Sequence, residues 1–188
     1  MERYFEKVGQ IHITGNHIDI TDPCYSADVW CRTSINDMVP GLYDCFVEYV
    51  VEKVTHYRYV SKIRLVLSDA PEKLQKELEE RIDRKRSWRY VGDIGVDAGI
   101  AGFFDGEKPD FSDNEWHDLC DWMIEKDKEA EAKTGHRNHF WYIQNLQKTG
   151  KDGFWSSSGY GDGGYTAHAI HSIVNGKRMT TAVEIRFL

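Results

Sequence analysis

Residues 21–25 carry the first candidate chemistry of the chain, a carboxylate and a thiol two positions apart. Asp22 and Cys24 follow alternating apolar residues that predict a β-strand. A cysteine becomes a nucleophile when a histidine or a positive field lowers the pKa of its thiol, and the neighbouring sequence supplies neither. The same residues also fit a tight turn in which Asp22 bonds the local backbone and Cys24 is packed.

Glycines and acids alternate through residues 91–105. Their spacing matches neither the G-x-G-x-x-G fingerprint of dinucleotide-binding folds nor a phosphate-binding P-loop, so neither cofactor motif is predicted. Glycine among β-branched and aromatic residues favours bulges or close backbone packing, and such places often border a ligand cleft. The candidate acids of this segment are Asp97 and Asp105.

Residues 154–165 combine four glycines, three serines and four aromatic residues just before the C-terminal strands. Successive backbone N–H groups in a glycine-rich loop can form a concavity that binds anions, and serine hydroxyls can add donors. Flat aromatic rings could stack on a base or a sugar. The alternative is an ordinary connecting loop, although four aromatic side chains are unusual for exposed positions.

We expect a ligand site where residues 91–105 meet residues 159–165, because both segments combine glycine with acids and aromatic rings. The residues predicted to bind the ligand are Asp97, Trp155, Ser158, Tyr160, Asp162 and Tyr165. The alternative is a site in which carboxylates serve as hard oxygen ligands for Mg²⁺ or Ca²⁺. Its predicted members are Asp22, Asp97, Asp105 and Asp162.

Three functions remain open from these residues. The chain could bind and sequester a nucleotide-like or other anionic small molecule without a cofactor, and this is the function we predict first. It could instead be a Mg²⁺- or Ca²⁺-assisted hydrolase, or a protein-interaction module. No nucleophile paired with a base and no recognisable metal motif favours an enzyme, so catalysis, ligand identity and oligomeric state are left open.

Nucleic acid is not the expected partner, because 31 acids outnumber 24 bases and give a net charge of −7. One basic run stands out in this acidic chain, and it is typical of the solvated end of a helix. Its members are Arg81, Arg84, Lys85, Arg86 and Arg89.

Two pairs of histidines are each three positions apart. His168 and His171 lie in a predicted strand, where an offset of three places side chains on opposite faces, so they are not expected to share a metal. His136 and His139 lie in a predicted loop and are interpreted as ordinary polar residues.

The elements that must position these residues are mostly strands. Alternating apolar and β-branched residues predict strands around residues 11–20, 42–51 and 54–67. The clearest turn is Asn175-Gly176, which predicts a type I′ hairpin with Val174 opposite Lys177. That register places His168 on the core face with Val183 and sends Ala167 to the other face.

Two amphipathic helices are also predicted. The first covers residues 71–84, and its buried face is formed by Leu74, Leu78 and Ile82. The second begins at a capping pair formed by Ser112 and Glu115, and it ends near residue 135. The pattern predicts an α+β protein, mainly an antiparallel β-sheet or sandwich with two amphipathic helices packed on it.

A length of 188 residues predicts a single domain over residues 1–188. No stretch approaches the roughly 20 apolar residues that span a bilayer, and the first residues lack the apolar core of a signal peptide. We therefore expect a cytoplasmic protein without a membrane partner, with four reduced and mostly buried cysteines.

Residues 96–105, VDAGIAGFFD, and residues 158–165, SGYGDGGY, resemble two signature stretches of the bacterial and phage family of unknown function numbered 4241. The resemblance runs in patches over residues 22–188, and the second stretch is the more specific. The family pattern carries serine where this chain has Ala98. The resemblance implies a fold and the location of a site, and it implies no reaction.

Overall fold

The structure is a computed structural model in which the chain forms mostly antiparallel strands with two helices, the predicted α+β class. The residues that it describes are 2–25, 31–54, 57–107, 111–134, 141–146 and 151–188. None of the helices within these ranges is long and apolar enough to cross a membrane.

The described strands are numbered in chain order. They are β1 (Glu2–Ile13), β2 (Ile18–Thr21), β3 (Thr33–Ile35), β4 (Gly41–Val51), β5 (Arg58–Leu67), β6 (Arg89–Val96), β7 (Ile100–Asp105), β8 (Trp141–Leu146), β9 (Lys151–Ser157), β10 (Gly163–Val174) and β11 (Lys177–Arg186). The helices are α1 (Glu72–Ile82) and α2 (Asp113–Thr134), and a 3₁₀ turn spans Lys85–Ser87.

These strands form two sheets whose described neighbours all pair antiparallel. The six-stranded sheet has the order β1-β4-β5-β11-β10-β6, and the five-stranded sheet has the order β3-β2-β7-β9-β8. Both sheets contribute to one buried apolar cluster, to which Leu65 and Val183 come from the first sheet and Phe103 and Phe154 from the second. Burying these large side chains is the main term that stabilises such a fold.

Close backbone approach explains a glycine of the predicted cleft segment. A Cβ atom on Gly102 would lie 2.3 Å from the carbonyl oxygen of Phe154 in the neighbouring strand β9. No side chain can occupy that space, so only glycine at this position allows β7 and β9 to pair.

The helices lie where the apolar patterns predict. In α1, Leu78 is fully buried, whereas Leu74 and Ile82 are only half-buried against the same core cluster. Helix α2 begins after Ser112, whose backbone N–H donates to the Glu115 carboxylate at 2.8 Å, half of the predicted capping box. Leu119 of α2 packs with Phe104 in a second cluster on the other face of the five-stranded sheet.

The C-terminal hairpin confirms Val174 opposite Lys177, with positive φ angles at Asn175 and Gly176. The prediction that His168 lies on the core face is wrong, because His168 pairs with Glu184. Thr181 is an extra residue in β11 that shifts the register by one, and its hydroxyl donates to the carbonyl of Ile170 at 3.3 Å.

That bulge reverses the predicted faces of β10. Ala167 is buried opposite Ile185, although the bulge-free register sends Ala167 to the other face. The outer face of the six-stranded sheet therefore carries His168 beside Glu184, and the inner face carries small alanines that fit against Val183 and Ile185.

Candidate functional site

The buried carboxylate of Asp22 organises the turn at residues 97–99. Its Oδ2 atom accepts hydrogen bonds from the backbone N–H of Asp97 at 2.9 Å and of Ala98 at 2.8 Å, while Oδ1 accepts from the N–H of Cys24 at 2.8 Å. Asp22 itself is fully buried. Three charge-assisted bonds make this carboxylate a fixed anchor that leaves the Asp97 side chain facing outward.

The two segments predicted to share a site lie side by side. Gly163 pairs with Val96 across β10 and β6, and the backbone N–H of Ser158 donates to the carbonyl of Gly99 at 2.9 Å. Positive φ angles at Gly99 and Gly159 allow the tight turns that bring the segments together.

Hydroxyl groups inside residues 158–165 bond within the loop itself. The hydroxyl of the buried Ser158 donates to the carbonyl of Gly161 at 2.8 Å. The Tyr165 hydroxyl lies 2.9 Å from the carbonyl of Ser158 and 2.5 Å from that of Gly161, and its ring packs edge-on against Phe187. Ser158 and Tyr165 therefore hold the loop closed, and their donors point at its backbone.

The outer surface of this loop offers acids and tyrosine rings. Asp97 and Asp162 are both exposed. Tyr160 is 72% exposed and meets the ring of Tyr59 edge-on at 5.0 Å, and Tyr57 extends this aromatic strip at 4.6 Å from Tyr59. The strip could stack on a flat ligand, but two exposed carboxylates disfavour an anion beside it.

Trp155 lies away from that surface. Its indole is fully buried in the cluster under α2, where it stacks on Phe104 and its Nε1–H contacts the sulfur of Met123 at 3.4 Å. The alternation of β9 accounts for this, because Phe154 faces the core between the sheets and Trp155 faces the helix.

The four aspartates of the alternative metal site do not form one group of metal ligands, although the Asp22 carboxylate binds the backbone of Asp97. Asp105 is buried and accepts hydrogen bonds from Thr14, at 3.1 Å from the backbone N–H and 2.6 Å from the hydroxyl. Both oxygens of Asp22 are engaged by backbone amides. Among the residues that the structure describes, no three acidic, histidine or cysteine side chains form a group able to hold a metal ion.

All four cysteines are free thiols. The expectation that most are buried is wrong, because Cys45 is buried, Cys31 and Cys120 are half-buried and Cys24 is exposed. Burial, together with a hydrogen bond to Cys31, raises the pKa of Tyr25 to about 12. Burial also raises the pKa of the Cys45 thiol, so this group stays protonated and unreactive at neutral pH.

The basic run of the sequence borders a concavity of about 240 Å³ that we call the arginine pocket. Its lining consists of Arg81, Arg86, Ser87, Arg89, His171 and Arg178. The first four come from the end of α1 and the turn leading to β6, whereas His171 and Arg178 come from the C-terminal hairpin. Four arginines line this space in a protein whose net charge is −7.

One arginine of the pocket is fixed by the protein and three are available. Arg81 pairs with Glu77 and donates to the carbonyl of His171 at 3.0 Å. Within the described part of the chain, no hydrogen bond or ion pair engages the side chain of Arg86, Arg89 or Arg178. Their donors are free to bind a ligand, and Arg81 holds the two sides of the pocket together.

His171 is the titratable group of the arginine pocket. Burial lowers the pKa of this histidine, Arg178 and Arg81 lower it further, and Asp37, at 3.6 Å from Nε2, opposes them. A bound anion would counter the positive field and raise the pKa of His171. The other predicted pair, His136 and His139, lies outside the described residues.

The other side of the same basic turn borders a second concavity of about 360 Å³, which we call the charged basin. It lies on the outer face of the six-stranded sheet, with Lys62, Arg64 and Glu184 on its floor. Trp88 forms a wall, and its Nε1–H donates to the carbonyl of Ile82 at 2.9 Å.

From the sequence, the basic run is predicted to be the solvated end of a helix. Arg84 fits that interpretation, because it is exposed and its guanidinium lies 3.7 Å from Glu80 one turn earlier. The signal that could have marked the pocket is the helix end itself. Helix α1 ends at Ile82, so the later bases belong to a turn against the sheet and do not continue a solvated face.

Comparison of this chain with family models, with curated proteins and with solved structures finds no match.

Proposed function

We propose that the protein binds a small anionic molecule and that the arginine pocket receives its phosphate or carboxylate groups. The observation that carries this proposal is that four arginines line one concavity, and that the side chains of three of them have no partner in the described residues. Planar guanidinium groups form paired hydrogen bonds with phosphate and carboxylate oxygens, and they remain charged at any physiological pH.

Size narrows the class of ligand. A volume of about 240 Å³ is below the usual range of about 300–1,000 Å³ for sites that enclose a whole drug-sized ligand. The pocket would therefore hold the charged end of a nucleotide-like molecule, such as a diphosphate, while the remainder of the molecule stays outside. This is the sequestering function expected from the sequence, located at a different surface.

The glycine-rich loop is the weaker candidate for the same role. Its serine and tyrosine hydroxyls bond to the loop backbone, and Asp97 and Asp162 place negative charge on its outer surface. An anion near these carboxylates would be repelled, whereas the lining of the arginine pocket has four arginines and no carboxylate, although Asp37 lies 3.6 Å from His171 and Glu77 pairs with Arg81. Ligand binding at that loop and a metal-assisted reaction both remain predictions.

Calorimetric titration with inorganic pyrophosphate tests the proposal. We expect Arg178→Gln to weaken binding by about tenfold or more, because it removes charge-assisted hydrogen bonds. Arg84→Gln is the matched control, since it removes one arginine charge from the basic run outside the pocket. Equal losses in both variants would indicate general electrostatic attraction, and absence of binding to the wild type would refute the proposal.

A further inference from the structure

The charged basin contains an ammonium group whose ion pairs with the protein are long. The side chain of Lys62 is only 17% exposed, and its Nζ atom lies 3.6 Å from the Glu48 carboxylate and 4.0 Å from that of Glu184. Both distances exceed those of hydrogen bonds. Among the described residues the Lys62 ammonium makes no hydrogen bond, although it carries three donors, and its Nζ atom lies 5.3 Å from the ring centre of Phe5.

The two acids beside Lys62 are already committed to other donors. One oxygen of Glu184 accepts from Arg64 at 2.8 Å and the other accepts from Arg186 at 2.6 Å. Glu48 accepts from the Ser61 hydroxyl at 2.6 Å and from Arg3 at 3.3 Å. These bonds occupy the acids, and Lys62 lies among the residues that line the basin.

The walls of the basin are apolar while its charge is positive. Phe5, Ile82, Trp88 and Leu188 line it, and the Arg64 guanidinium lies 4.4 Å from the ring centre of Phe5 and 4.8 Å from that of Trp88. Five bases and three acids line the same space. The matching ligand has an oxygen-bearing anionic head for Lys62 and an apolar body for the aromatic walls.

We infer that the charged basin is a second ligand site, distinct from the arginine pocket, for an organic anion with an aromatic or aliphatic body. The head group is a carboxylate or a phosphate ester, and both would accept from the Lys62 ammonium. The arginine pocket has no apolar lining residue, so the two sites differ in what they recognise. A bare diphosphate suits the arginine pocket, and an amphiphilic anion suits the basin.

Calorimetry with benzoate and with phenyl phosphate tests this inference and identifies the head group. We expect at least one of them to bind, and Lys62→Met to weaken that binding by about tenfold or more, since it keeps the apolar stem and removes the charge. Lys177→Met, at the exposed hairpin turn, should leave binding unchanged. Benzyl alcohol, which lacks the charge, should not bind.

Two neighbouring aromatic residues of β1 provide a second test that removes no charged group, although the Phe5 ring contacts Arg64. Phe5 and Tyr4 are each 39% exposed, yet Phe5 lines the basin and Tyr4 packs on Tyr49 at the opposite face. We expect Phe5→Ala to weaken benzoate or phenyl phosphate binding by several-fold, and Tyr4→Ala to leave it unchanged.

The outcomes separate the two sites. Loss of binding in Lys62→Met and Phe5→Ala, with pyrophosphate affinity intact, supports the basin as an independent site. Binding that responds to Arg178→Gln and not to Lys62→Met would assign the probe to the arginine pocket and overturn the inference. Failure of both probes to bind the wild type would overturn it as well, and pyrophosphate binding would still decide the proposed function separately.

Discussion

The glycine-rich loop and the basic turn differ in where their polar groups point. In the loop, Ser158 and Tyr165 direct their hydroxyls at the carbonyl of Gly161. In the basic turn, the side chains of Arg86 and Arg89 line the arginine pocket and bond to no described residue. The composition of the loop is more typical of a binding site. The basic turn, however, has more side-chain donors without a partner in the described residues.

Residue type therefore indicates which hydrogen-bond donors a segment has. Whether a ligand can use them depends on the partners that those donors already have in the fold. A tight glycine turn must satisfy its own backbone carbonyls, and nearby hydroxyls do so most directly. Long arginine side chains keep their charged ends in water while their stems cover the surface, so they stay free for ligands.

The largest effect is expected from a substitution in α1, the helix that precedes the basic turn. Leu78→Ala should lower the free energy of unfolding by about 2–5 kcal/mol, because Leu78 is 1% exposed in the core cluster. Leu74→Ala, at the half-buried position one turn earlier, should cost clearly less. Urea unfolding of both variants measures the difference, and equal costs would show that α1 does not position the turn through Leu78.

Helix α1 also shows how far the sequence predicts this fold. The spacing of Leu74, Leu78 and Ile82 predicts the helix within two residues at its C-terminal end, since amphipathic periodicity is a local property. The Asn175-Gly176 turn is equally local, and its closing pair is as expected. Elements whose signals lie within one segment are therefore accessible from the sequence.

Features that depend on distant segments were not accessible. The extra residue at Thr181 carries no pattern of its own, yet it reverses the faces of Ala167 and His168. Strand β1 begins at Glu2, although its first six residues are exposed and include several charges. The arginine pocket needs Arg178 from β11 beside Arg81 from α1, and no local spacing reports that meeting.

A smaller effect should distinguish the internal bonds of the loop from its exposed ring. Tyr165→Phe should lower the free energy of unfolding by about 1 kcal/mol, because it removes the hydroxyl that bonds the carbonyls of Ser158 and Gly161. Tyr160→Phe is the matched control, since that ring is 72% exposed and should stay within about 0.5 kcal/mol. Pyrophosphate affinity should be unchanged in both, and a loss in Tyr165→Phe alone would return the ligand to the loop.

The pH dependence of stability tests the surroundings of two histidines, one of which lines the arginine pocket. Burial lowers the pKa of both His168 and His171 in the folded protein below their ordinary value of 6.5. The unfolded chain then takes up these protons first, so stability present at pH 7 is lost as pH falls through the region below 6.5. Thermal unfolding between pH 7 and pH 5 should show the decline.

The His171 contribution to that decline has its own control. His171→Gln should flatten the dependence, and pyrophosphate should oppose it in the wild type, because a bound anion favours the protonated histidine between Arg178, Arg81 and Asp37. A pH profile that pyrophosphate leaves unchanged would mean that the anion does not reach the arginine pocket.

The smallest expected effect is that of Asp162→Asn, which tests whether the loop is scaffold alone. Asp162 is exposed, so the change should alter the free energy of unfolding by less than about 0.5 kcal/mol and leave pyrophosphate affinity at the arginine pocket unchanged. An anion held by the loop's own amides would bind more tightly once this negative charge is removed. A metal site would lose Mg²⁺ or Ca²⁺, because an amide is a weaker ligand than a carboxylate for these hard cations. Calorimetry of wild type and variant with pyrophosphate, Mg²⁺ and Ca²⁺ separates these cases. If the wild type binds a metal and Asp162→Asn does not, the loop holds a ligand through the Asp162 carboxylate. The loop would then be a binding site and not scaffold alone.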